Sequence, residues 1–179
     1  MIKINKEDLV YWLQKYSKTE TDSQRETEQK LSKTFQESGF ATKSEIIRLL
    51  HWKFENMKGR LKRELNLIEK ETDESIIKKT KDAFQSEDDE EKIKILHSIK
   101  GFGNAVTSVA LTFHNPNRYG VFDIHAWREL FGKESESKDY HTPKALLRFF
   151  KKLREISKET ELSCREVEKA IFTKNYERK

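Results

Sequence analysis

Ile99-Lys100-Gly101-Phe102-Gly103-Asn104-Ala105 is the stretch on which the reading of this 179-residue chain turns. Two of the six glycines stand two residues apart here. They separate a helical pattern carrying Ile93, Leu96 and Ile99 from one carrying Val106, Val109, Ala110 and Phe113. Glycines so spaced let the backbone turn tightly and approach a ligand with no side chain in the way. The residues after Gly103 begin a helix whose first amides point outward and suit an anion. Lys100 adds a cation beside them.

Taken alone, a Gly-x-Gly between helices is equally a tight helix–helix turn with a C-cap. The wider pattern is that of a helix-hairpin-helix. Phe102 anchors the turn to the core, and the small residues Ala105, Ser108 and Ala110 permit close helix contact. No strand pattern precedes Gly101 and no third glycine follows, which excludes a dinucleotide-binding turn. No Gly-Lys-Ser/Thr phosphate loop is present.

The rest of the chain also reads as helix, and the expected class is all-α. Asn5 with Asp8, Thr42 with Glu45, and Ser163 with Glu166 are helix-start signatures. Ser86 with Asp89 is expected to start the helix before the hairpin, and Thr142-Pro143 another. Gly59 or its vicinity is expected to interrupt the helix carrying Ile46, Leu49, Leu50 and Phe54, and residues 175–179 to fray. At this size the chain buries roughly 70% of its unfolded surface as a single compact unit, 1–179. Two lobes are expected within it. One is 40–131, with the hairpin at 99–104; the other packs 1–39 together with 142–179, and the polar loop 132–142 is the expected break between the lobes.

Beyond the hairpin lies Phe122-Asp123-Ile124-His125-Ala126-Trp127-Arg128, with a lone Asp in an apolar stretch. Asp123 reads as an N-cap or as a catalytic carboxylate, and the roles are compatible, since a capped Asp stays ionised and fixed. From Ile95 to about Arg128 the chain resembles the helix-hairpin-helix (HhH-GPD) DNA glycosylase superfamily. In that family the hairpin reads Leu-Pro-Gly-Val-Gly-x-Lys/Tyr-Thr-Ala, and a Val-Asp-Thr-His-Val-x-Arg-like segment follows. The resemblance implies a two-lobed all-α fold with the active site between the lobes. It implies that Lys100, Gly101, Phe102, Gly103, Asn104 and Ala105 grip the backbone of double-stranded DNA, and that Asp123 serves one flipped nucleotide.

The departures are informative. Bifunctional members carry a nucleophilic lysine where Ala105 stands, and alanine cannot form a Schiff base. Lys100 replaces the family's proline. The implied activity is therefore monofunctional base excision: Asp123 stabilises a positive deoxyribose and orients water. Lys53 is the substitute nucleophile to consider. A scaffold that binds DNA without catalysis is the alternative. His51, Trp52, Tyr119 and Trp127 are candidates for a base pocket, although their spacing equally suits a core. Arg118, His125 and Arg128 are candidate backbone contacts or ordinary local partners.

Composition bounds these readings. The net charge is +5, with 37% charged and 35% hydrophobic residues. Residues 141–179 hold 11 basic and 6 acidic groups, so Lys144, Arg148, Lys151, Lys152 and Arg154 form a basic face, or simply the solvent side of an amphipathic helix. The run Glu87-Asp88-Asp89-Glu90-Glu91 suits a helix start and would repel DNA, so it is expected away from any duplex. The single cysteine, Cys164, excludes an intrachain disulfide and a four-cysteine cluster. The five histidines show no metal-site spacing, and neither metal nor cofactor is expected. No run approaches 18 apolar residues and no leader pattern is seen, so a reducing cytoplasmic or nucleoid setting away from membrane is expected. The chain is also expected to be a monomer.

Overall fold

Side-chain caps account for where most of the helices begin. The computed structural model describes residues 5–178. Asn5 accepts the Asp8 N–H at 2.7 Å and opens α1 (Lys6–Thr19). After α2 (Asp22–Ser38), Thr42 and Glu45 close the expected capping box of α3 (Lys43–Phe54). The chain then bends at 55–57, where the Met57 N–H returns to the Phe54 carbonyl at 2.8 Å. The interruption expected at Gly59 or its vicinity thus falls at 55–57, and Gly59 itself lies in the first turn of α4 (Lys58–Ile68).

Thr72 caps α5 (Asp73–Gln85). The start of α6 (Asp89–His97) corrects the expectation for Ser86. Asp88 is the N-cap, accepting the Glu91 N–H at 2.7 Å, while Ser86 ends α5 and its hydroxyl oxygen accepts the Asp88 N–H at 3.2 Å. Asp89, Glu90 and Glu91 fill the first turn, where the helix dipole favours negative charge. Beyond the hairpin run α7 (Asn104–His114), an extended segment, and α8 (Ile124–Phe131). A 3-10 turn at Lys133–Ser135, α9 (Glu136–Asp139), α10 (Pro143–Thr160) and α11 (Cys164–Glu177) complete the chain. The residues 175–177, expected to fray, are helical. Among the described residues there is no strand, and no helix is long and apolar enough to cross a membrane.

The chain divides into a middle unit, residues 22–115, and an end unit made of residues 1–21 and 116–179. This differs from the expected lobes at two helices. α2 packs on α3 and α7, with the Phe35 ring 5.9 Å from that of Phe84 and 6.4 Å from that of Phe113, so it belongs to the middle. α8 packs on α11, so it belongs with the ends. In the middle unit α7 is the central helix, buried at every residue from Ala105 to Phe113. Its Ser108 and Thr112 hydroxyls donate to carbonyls of their own helix, at 2.7 and 2.6 Å. In the end unit α11 packs on α1, α8 and α10. The buried Lys174 there pairs with Asp8 and, at 3.6 Å, with Glu129.

Candidate functional site

The hairpin belongs to the middle unit. Ile99 and Phe102 are buried, 1% and 6% exposed, and the Phe102 N–H closes the turn on the Ile99 carbonyl at 3.0 Å. Ile99 thus lies past the end of α6, in the hairpin itself. Gly101 has φ +87°, and a Cβ there would meet the Glu64 carbonyl oxygen at 3.3 Å and Ile68 and Leu67 at 3.4 Å. Both conformation and space demand glycine at 101.

Gly103 is different. Its φ of −102° suits any residue, and nothing lies within 4 Å of the position of a Cβ. It is exposed and is the N-cap of α7, which it provides with no side-chain cap. Lys100 is exposed beside it, and Ala105 is buried.

A carboxylate that local patterns do not reveal lies beneath the turn. Glu71, 9% exposed, accepts the Lys100 N–H at 3.0 Å and the Ser75 hydroxyl at 3.1 Å, and faces the Lys79 ammonium at 3.6 Å. Burial works against its charge. The Lys100 N–H, the Ser75 hydroxyl and the Lys79 charge outweigh burial and hold the carboxyl below its ordinary value.

Asp123 belongs to the end unit. It is the N-cap of α8 and accepts the His125 N–H at 2.9 Å, with its side chain partly exposed. The segment leading to it is held tightly. The Arg165 N–H donates to the Pro116 carbonyl at 3.0 Å, and the Val121 N–H donates to the Glu168 carboxylate at 3.2 Å. Arg165 pairs with the same Glu168 oxygen, Oε2. A Cβ on Gly120 would lie 2.6 Å from Leu153 Cδ1 and 2.7 Å from Glu168 Cβ, so only glycine lets the segment pass. Tyr119, Val121 and Phe122 are buried around it.

The remaining candidates separate by environment. Trp127 and Tyr119, expected at a base pocket, are core side chains at 0% and 1% exposure. Trp127 Nε1 donates to Ser135 at 2.9 Å, and the Tyr119 ring packs edge-on against Phe150. His125 is buried edge-on to Phe172 and Tyr176, with Nδ1 3.1 Å from Asn175 Oδ1. Arg128 is paired with Glu136 at 2.7 Å. The exposed Arg118 donates from Nε to the Tyr119 hydroxyl at 3.1 Å. Along the basic face of α10, Arg148 pairs with Asp139 at 3.0 Å and Lys152 with Glu155 at 3.0 Å, while Lys144 and Lys151 are exposed.

His51 and Trp52 do come together. They line a groove of about 320 Å³ with Gln24, Arg48, Glu55 and Leu61. Trp52 Nε1 donates to the Gln24 carbonyl at 3.0 Å, and the Gln24 amide donates to Glu55 at 2.8 Å. This groove is at the C-terminal end of α3. The N-terminal end of that helix is tied to the hairpin's support: Lys43 Nζ donates to the Glu71 carbonyl at 3.0 Å. At 1.5 Å per residue, His51 and Trp52 lie about 12–14 Å along α3 from Lys43. Lys53, beside Trp52, is half-buried.

No cluster of three or more metal-ligating side chains exists among the described residues. Glu71, Lys79, Gly120 and Glu168 escaped sequence reasoning because the contacts that define them, with Lys100, Ser98, Leu153 and Val121, lie far along the chain. No protein-family model, no curated protein and no solved structure matches this chain, so the functional reading rests on the geometry of the chain itself.

Proposed function

We propose that this chain binds duplex DNA as a monomer and hydrolyses the N-glycosidic bond of a damaged or mismatched base, leaving the strand uncut. The observation that carries the proposal is Gly103. The fold demands glycine at 101 and at 120 but has no use for it at 103, where a side chain would project into open space. A phosphate approaching the start of α7 gives that space a purpose, with Lys100 supplying charge. Asp123 supports the catalytic half: a fixed, partly exposed carboxylate stabilises positive charge that develops on a deoxyribose only as the base departs, and orients the attacking water. Ala105 supplies no amine, so water is the nucleophile.

The test uses lesion-bearing duplexes followed by alkali, which reveals abasic sites. Excision by the wild type should collapse in Asp123→Asn, borohydride should trap no adduct, and log affinity should fall with log salt at a slope of roughly −3 to −5. A borohydride-trapped adduct would contradict the hydrolytic assignment and implicate Lys53. One observation favours a DNA-binding protein without catalysis: the Asp123 carboxylate already has a structural use in capping α8. On that reading no lesion is excised, and Asp123→Asn alters DNA affinity only as far as it alters helix stability.

A further inference from the structure

The α6 side of the hairpin is tied down at two points by a charged pair. Glu71 Oε1 accepts the Lys100 N–H at 3.0 Å, and Lys79 Nζ donates to the Ser98 carbonyl at 3.0 Å. The two side chains face each other at 3.6 Å, and Ser75 donates its hydroxyl to the second Glu71 oxygen at 3.1 Å. The loop carrying Glu71 is itself pinned. Lys43 Nζ donates to the carbonyls of Glu69 and Glu71 at 3.2 and 3.0 Å, and the Lys43 N–H donates to Asp73 at 2.6 Å. A carboxylate is a costly group to bury near a turn that is to receive an anion, unless it does something there. Backbone order in the hairpin is what it provides.

We infer that Glu71, with Lys79, is a positioning residue for the hairpin, fixing the Ser98–Gly101 backbone in its gripping form before DNA arrives. The inference rests on the DNA-binding reading of the hairpin. Its physical content is pre-organisation: a turn already ordered loses less freedom when it closes on a phosphate. It also makes the sign of one effect diagnostic. If Glu71 mattered only through its charge, removing it would tighten DNA binding. If it positions the turn, removing it weakens binding.

The experiment pairs amide hydrogen exchange at Lys100 and Gly101 with anisotropy on duplex DNA over a salt series. Glu71→Ala should speed Lys100 exchange and weaken DNA affinity, each by about tenfold, the scale of one hydrogen bond to a charged group. The salt slope should stay as in the wild type, because the same phosphates are contacted. Glu71→Gln keeps an oxygen for the Lys100 N–H and should restore both slow exchange and affinity. Lys79→Met should speed Ser98–Gly101 exchange without requiring any change at Glu71, and thermal melts identify any variant that has lost its fold. Unchanged Lys100 exchange in folded Glu71→Ala would overturn the positioning role, whatever the DNA result. Faster exchange with wild-type affinity, or tighter binding, would overturn the link from hairpin order to grip. A wild type that binds no duplex at low salt would instead defeat the DNA reading, leaving the exchange arm to judge the positioning role.

Discussion

The hairpin at 98–103 and the segment at 116–123 each turn on glycine, yet they use it in opposite ways. Around Gly120 the chain is packed so tightly that a methyl group would overlap Leu153 and Glu168. Around Gly103 there is nothing to touch. Gly101 lies between these cases, with a positive φ and a carbonyl at 3.3 Å from a built Cβ. The end-unit segment is thus shaped by what lies inside the protein, and it delivers a rigid Asp123. The hairpin is shaped inside at 101 but left bare at 103, facing whatever comes from outside.

Three substitutions grade that contrast. Gly120→Ala should be the most damaging, costing about 3 kcal/mol or more, because neither Leu153 nor the α11 backbone can yield without repacking the unit. A melt within a degree of the wild type would show that the 116–123 segment is looser than described. Gly101→Ala should cost about 1–3 kcal/mol from its left-handed backbone and the crowded Glu64 carbonyl. Gly103→Ala should change stability by no more than about 1 kcal/mol, the scale of an N-cap exchange, yet weaken duplex binding roughly tenfold by placing a methyl group in the phosphate's approach. Chemical denaturation and anisotropy on the same samples separate the two effects. Intact DNA affinity in Gly103→Ala would remove the support that this glycine gives to the grip.

These glycines also show how far local patterns reach. Helix starts were legible where the cap and its partner lie three residues apart, as at Asn5, Thr42 and Ser163, because the interaction is contained in the pattern. Ser86 misled because Asp88, two residues later, offers a better-placed carboxylate to the same turn. The hairpin and the cap role of Asp123 could be read from small and apolar spacing. Glu71 and Glu168 could not, since their partners lie 29 and 47 residues away and nothing nearby distinguishes them from other surface acids. Tyr119, in the extended segment, and Trp127, on α8, were ambiguous for a related reason: an aromatic in an apolar stretch serves a pocket or a core equally well, and packing against Phe150 and Phe122 decided for the core. The membership of α2 and α8 depended on which helices they touch, which polarity in the neighbouring loops does not encode.

A smaller effect concerns the pH dependence of the middle unit. Burial holds His97 and His114 of the middle unit below the ordinary imidazole value of 6.5, with Lys92 adding to the effect at His114. The folded protein therefore binds fewer protons than the unfolded chain once the pH drops below that value, and stability falls with pH in that window. The melting temperature should decline by a few degrees between pH ~7 and ~5.5, and His97→Gln with His114→Gln should flatten the decline. Glu71, whose folded value is depressed, contributes stability above the ordinary carboxylate value of 4.5 and loses it only as the pH falls further. A pH profile that the two histidine changes leave intact would assign the decline to other groups.

The central claim is that Asp123 stabilises positive charge on a sugar. The direct measurement is the affinity of wild type and Asp123→Asn for two duplexes, one carrying a cationic pyrrolidine abasic nucleotide and one its neutral tetrahydrofuran counterpart. The account predicts that the wild type prefers the cationic duplex by about tenfold or more, and that Asp123→Asn binds both equally while keeping its affinity for the neutral one. Equal binding of the two duplexes by the wild type, or a preference that survives in Asp123→Asn, would contradict it.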